Sequence, residues 1–161
     1  LGLKGLSGAA LMSFGDVLCQ KYIPLHLLDA PDDFSIAVDP DWRRSQNRGR
    51  YADLVECSHS YSRTAFDRSV LLRRASPRRG GRVDGEWVGL LKMSARGTAR
   101  LQRLLTQETD ARELRTMRLL DVLDRLIAGG QKVRVVYVTG EWFDIDEVRD
   151  VLAAGASRGL R

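Results

Sequence analysis

Three short apolar runs in this chain are followed by aspartates. Ala10-Leu11-Met12-Ser13-Phe14 gives way to Gly15-Asp16, and Phe34-Ser35-Ile36-Ala37-Val38 gives way to Asp39-Pro40-Asp41. The β-branched run Val133 to Val138 leads into a loop holding Asp144 and Asp146. Runs of this length, bounded by turn residues, read as buried strands. Further strand candidates are Ala52 to Cys57, Val70 to Arg73 and Trp87 to Met93.

Helical patterns lie between the runs. Val17 to Leu28 reads as helical turns interrupted near Pro24. Ser94 caps a helix from about Ala95 to Gln107. Leu114, Met117, Leu120, Leu123 and Ile127 form one stripe of a longer helix that stops at Gly129-Gly130. Residues 140–146 read as a loop, and Asp146 to Ala154 as a last helix. Strands alternating with helices predict an α/β sheet. Such sheets bind ligands outside the carboxyl ends of their strands, which is where the aspartates fall.

Clustered carboxylates suit Mg²⁺, which takes oxygen ligands and keeps waters and substrate phosphates in its shell. Each aspartate taken singly has a plainer reading as a helix or turn cap. The chain's 161 residues, 43% hydrophobic and 29% charged, fit one globular domain. Its net charge is +5, yet all but Lys4, Lys21, Lys92 and Lys132 of the 26 cations are arginines. The densest stretch, Arg73 to Arg82, lacks the interleaved aromatics of a base-reading surface, so nucleic acid is not the expected partner. Cys19 and Cys57 make no disulfide framework, and with His26 and His59 they lack the paired spacings of a zinc site. No apolar run approaches a membrane span. A cytoplasmic protein is expected, and no motif specifies an oligomeric state.

Three segments carry a family resemblance. Ser13-Phe14-Gly15-Asp16-Val17-Leu18 resembles the Gly-Asp strand end of sugar-phosphate-type nucleotidyltransferases. Gly85-Glu86-Trp87-Val88-Gly89-Leu90-Leu91-Lys92-Met93-Ser94 is similar to their Gly-Glu-aromatic strand, and Glu141-Trp142-Phe143-Asp144-Ile145-Asp146 to their C-terminal Trp-x-Asp-Ile-Asp element. The likeness is strongest to the cytidylyltransferase domain found with phosphoenolpyruvate mutase in phosphonate biosynthesis and to phosphocholine cytidylyltransferases. It runs from about Leu11 to Ala154. It departs after Asp146, where Glu147-Val148-Arg149-Asp150 replaces Thr-Pro-Glu-Asp.

The resemblance implies a Rossmann-like mixed sheet of the nucleotidyltransferase type, truncated at its N-terminus. Residues 1–10 would be an atypical lead-in, and 11–161 the C-terminal, metal- and acceptor-side part of the domain. The Gly-rich loop that holds the nucleotide would lie outside the chain. The implied reaction is transfer of a nucleotidyl group from an NTP, with CTP expected, to a phosphonate- or phosphate-bearing acceptor, releasing pyrophosphate. Asp16 would bind Mg²⁺ together with Asp146 or Asp144, and Asp16 and Lys92 would be the catalytic residues. Glu86, Trp87, Trp42 and Asp41 would meet the acceptor, although core packing is an equal reading for Trp87, Glu86 and Trp42. Two other readings compete: an inactive truncated remnant, and a basic RNA-binding module centred on Arg73 to Arg82.

Overall fold

The computed structural model describes residues 5–44, 52–64, 68–75, 81–107 and 110–156. In chain order the elements are β1 (Ala10–Ser13), β2 (Val17–Cys19), α1 (Tyr22–Asp29), β3 (Phe34–Asp39), a 3-10 turn (Trp42–Arg44), β4 (Leu54–Cys57) and β5 (Leu72–Arg74). They continue with β6 (Gly85–Met93), α2 (Ala95–Gln107), α3 (Ala111–Thr116), α4 (Leu119–Ala128), β7 (Val133–Tyr137), β8 (Trp142–Asp144) and α5 (Val148–Ala156).

The spine is β6, buried along its whole length. A strand covered on both faces needs a nearly continuous apolar run, and Trp87 to Met93 supplies one. Along one side β6 pairs antiparallel with β3, which pairs in parallel with β7. On its other side β4 lies against its beginning and β1 against its end. Strands β1, β3 and β7 therefore point the same way, toward the end of the sheet where β6 begins.

Helices cover both faces. Leu101, Leu104 and Leu105 of α2 and Leu120, Leu123 and Leu126 of α4 pack with Phe34, Ile36, Val38, Trp87, Leu91 and Met93. Ile23 and Leu27 of α1 pack on the other face against Ala37, Val88, Leu90 and Val138. Each large side chain fully buried in this way is worth about 1.5–3 kcal/mol.

A bulge bends β6 near its middle. Ile36 faces Leu91, but Val38 faces Trp87, so Val88, Gly89 and Leu90 stand against Ala37. Gly89 takes φ +80°, and a Cβ there would lie 2.3 Å from the Phe14 ring. Only glycine fits both the backbone and that contact. The bulge is satisfied by neighbours: Phe14 N donates to Gly89 O at 3.1 Å, and Trp87 Nε1 donates to Leu90 O at 2.9 Å. Phe14 thereby follows β1 onto β6 and directs Gly15-Asp16 out of the sheet at its carboxyl end.

The β4–β5 hairpin ties the two edges of the sheet together. Its far side reaches β7, where Leu71 bridges Arg134 and Val135 N donates to Val70 O. Asp84 clamps its base, accepting from Cys57 N (2.8 Å), Ser60 Oγ (2.5 Å) and Arg82 Nε (2.9 Å). Burial alone would raise the Asp84 carboxyl, but these donors together hold it below the usual carboxylate range.

Several local expectations change. Val17–Cys19 is a strand, not part of a helix, because it pairs with β8. Pro24 does not interrupt α1: it sits in the first turn, where its missing N–H has no helical acceptor to lose. The expected long helix before Gly129 is two. Met117 and Arg118 are extended, and Asp121 Oδ2 accepts from Arg118 N at 2.9 Å to start α4 afresh. Residues 140–146 contain β8 instead of forming an uninterrupted loop. Residues 1–4, most of the 43–50 loop and positions 76–80 of the basic loop lie outside the described residues. No helix among the described residues is long and apolar enough to cross a membrane.

Candidate functional site

Asp16, Asp144 and Asp146 converge, although some 130 residues separate the first from the others in sequence. Strand β2 pairs antiparallel with β8, setting Val17 opposite Asp144, Leu18 opposite Phe143 and Cys19 opposite Trp142. Ile145 N donates to Asp16 O at 2.9 Å and Gln20 N to Glu141 O at 3.0 Å, closing both ends of this ribbon. Each of the three aspartates offers a carboxylate oxygen within 4.8 Å of the others.

A two-stranded ribbon is marginal by itself and needs an anchor. Trp142 supplies it: the ring is buried among Ile23, Leu27, Ala37, Val88, Leu90 and Val138, and its Nε1 donates to Asp39 Oδ2 at 2.9 Å. Asp39 is fully buried, and its other oxygen accepts from Asp41 N at 2.8 Å. Glu141 enters β8 with φ +60°, a left-handed conformation that costs a non-glycine residue about 1 kcal/mol or more. Burial first, then the charges of Glu141 and Asp39, push the Tyr22 hydroxyl up. At the other end Asp150 Oδ2 accepts from Asp146 N (3.1 Å) and Glu147 N (2.8 Å), fixing the chain as it enters α5.

The donor set fits a hard divalent cation. All three groups are carboxylates; Asp16 and Asp146 are exposed and Asp144 is half-buried, which leaves room for waters and phosphate oxygens. An Mg²⁺ shell with metal–oxygen distances near 2.1 Å places its oxygens roughly 3 to 4.2 Å apart, so a slight side-chain adjustment would close the triad. An open groove of ≈ 580 Å³ adjoins the cluster, lined by Asp16, Leu18, Ile145 and Val151 among others. Among the described residues this is the one group of acids, histidines or cysteines able to share a metal.

The same end of the sheet carries further acids. Glu86 is buried opposite both Asp39 and Leu54. Asp53 precedes β4, where its carbonyl accepts from Trp87 N at 2.8 Å. Burial raises the Asp53 carboxyl; Arg118 pulls it back and the charge of Asp144 pushes it up further. Asp53 therefore lies within charge range of Asp144, a placement no sequence motif announced. Asp41 is exposed, and Trp42 is half-buried with the Arg43 guanidinium 4.9 Å over its ring.

The expected catalytic role of Lys92 and the expected acceptor contact of Trp87 do not fit where the structure puts them. Lys92 stands at the opposite end of β6 from Glu86 and is 7% exposed. Its Nζ donates to Ala30 O (2.6 Å) and Asp32 O (2.9 Å), so its ammonium binds the turn before β3 to the sheet. Trp87 is a core residue: it is 2% exposed, its indole N–H is engaged by Leu90 O, and its ring lies 5.1 Å from that of Phe14. In the basic segment Arg82 serves the Asp84 clamp and donates to Cys57 O, while Arg73 and Arg74 are exposed on β5. Cys57 is buried, and burial pushes its thiol up to about 11.

No family model matches the sequence, and no curated protein does. Solved structures do resemble it in fold. The inositol-1-phosphate CTP transferase from T. maritima aligns with 90% of this chain at TM-score 0.57 and 16% identity. The nucleoside-diphosphate-sugar pyrophosphorylase from Vibrio cholerae RC9 aligns with 94% at TM-score 0.50 and 12% identity. The chain spans 52% of the first and 58% of the second, little more than half of either. With its mixed sheet, helices on both faces and acidic strand ends, the chain has the fold of the nucleotidyltransferases.

Proposed function

We propose that this chain supplies the metal- and acceptor-side half of a nucleotidyltransferase, with CTP as donor and a phosphonate or phosphomonoester as acceptor. One observation carries the proposal. Aspartates from two distant motifs meet on a nucleotidyltransferase fold, at the strand ends where such sheets bind ligands. Asp16, Asp144 and Asp146 would hold Mg²⁺. The ion supplies charge neutralisation at a triphosphate, lowering the cost of attack at the α-phosphorus and of pyrophosphate departure.

The chain's own residues do the positioning. Trp142 and Asp39 fix β8 against the sheet, and the β2–β8 ladder sets Asp144 beside Asp16. Asp41 and Trp42, at the same sheet end, would meet the acceptor, with Glu86 buried behind them opposite Asp39. Holding two phosphorylated reactants in line accounts for most of the acceleration such a reaction needs.

The test is exchange of labelled pyrophosphate into CTP, run with Mg²⁺ and an alkylphosphonate or phosphocholine. The sample is the 161-residue chain, alone and joined to the coding sequence upstream of Leu1. Exchange that Asp16→Asn abolishes is the expected result. Exchange unaffected by Asp16→Asn, or none in either form, would reject the proposal.

A further inference from the structure

A second cavity lies on the outer edge of β7 and shares no residue with the aspartate cluster. It encloses ≈ 400 Å³ between α1, the 60–62 turn, the Arg68–Val70 segment and β7. That volume is within the usual range of small-molecule sites, about 300–1,000 Å³.

Among the described residues its wall holds the side chains of Arg68, Arg134 and His26 and no carboxylate. Arg134 is paired with Asp32. Arg68 is exposed and has no ion-pair partner among the described residues. Two rings form an apolar corner. Tyr61 and Tyr137 meet edge to face with centroids 5.6 Å apart, and Tyr137 is fixed by its hydroxyl donating to His59 O at 2.8 Å. Ser60 completes the lining; its proton goes to Asp84, which leaves its lone pairs to accept from a ligand hydroxyl.

A free guanidinium recognises a phosphate through charge-assisted hydrogen bonds, and a tyrosine face accepts a planar ring. We propose that this cavity is a second ligand site, for an organic phosphate with a planar ring, of the nucleoside monophosphate class. Arg68 meets the phosphate, Tyr61 stacks on the ring, and the lining hydroxyls meet the sugar. The site needs no metal, and its occupant is independent of the substrates proposed for the aspartate cluster.

AMP in EDTA is the probe, because chelation silences the aspartate cluster. Binding to the 161-residue chain is followed by calorimetry and ligand-observed NMR, alongside adenosine, ribose 5-phosphate and inorganic phosphate. AMP should bind saturably, and each of the other three about tenfold or more weakly. Arg68→Gln and Tyr61→Ala should each weaken AMP about tenfold, the loss of one charged hydrogen bond or one stacking face. Both side chains are exposed, so their melting temperatures should match the parent's. Asp16→Asn and Asp144→Asn should leave AMP binding unchanged. The proposal is overturned if AMP does not saturate, if Arg68→Gln has no effect, or if Asp144→Asn removes binding. Ribose 5-phosphate binding as tightly as AMP would overturn the planar-ring class.

Discussion

At the scale of single residues, two buried polar side chains decide how the site should be read. Trp142 is both anchor and hydrogen-bond donor for the ribbon that carries Asp144. Trp142→Phe keeps most of the bulk but leaves the fully buried Asp39 without its indole partner. The expected cost is about 1–3 kcal/mol in urea unfolding, together with weaker divalent-cation binding as β8 loosens. Unchanged cation affinity in a destabilised variant would show that β8 holds its place without Trp142. Lys92 gives the opposite pattern. Its ammonium serves two carbonyls in the interior, so Lys92→Met should cost about 1–3 kcal/mol of stability and leave cation binding intact. Full stability with lost nucleotide or acceptor binding would return Lys92 to the site. A lysine beside an apolar strand motif reads as a phosphate cation in sequence. Only the packing of the α1–β3 turn shows what it touches.

At the scale of elements, the Asp84 clamp sets how the β4–β5 hairpin responds to acid. The folded carboxyl titrates below its ordinary value of 3.8, so its stabilising contribution is complete above that value. It is lost as pH falls through the lowered folded value. Asp84→Asn should lose about 1.5–3 kcal/mol near neutrality, and its unfolding free energy should fall less steeply with acid below pH 4 than the parent's. Parallel acid limbs in the two proteins would contradict this. Elements themselves were unevenly legible in the sequence. β3, β6, β7 and α2 are long periodic or continuous apolar segments, and their expected and observed positions agree closely. β2 and β8 are three residues each, exist by pairing with one another, and have no period of their own to read. The break between α3 and α4 rests on Asp121 capping Arg118, which a continuous leucine stripe conceals.

At the scale of the whole molecule, the sequence placed acids at strand ends, and the topology brings those ends together. Strands β1, β3 and β7 run parallel, so Asp16, Asp39 and the approach to Asp144 share one end of the sheet. Asp53 joins that end through the loop before β4, whose path no local pattern encodes. The three carboxylates that converge were therefore readable as strand-end acids, while their neighbours depended on tertiary contacts. The central claim is that the three converging aspartates form a divalent-cation site. Mn²⁺ titration of the 161-residue chain, followed by electron paramagnetic resonance, addresses it directly. The expected result is one saturable site, competed by Mg²⁺ and weakened about tenfold or more by either Asp16→Asn or Asp144→Asn. Absence of saturable Mn²⁺ binding, or binding that both variants retain in full, would contradict it.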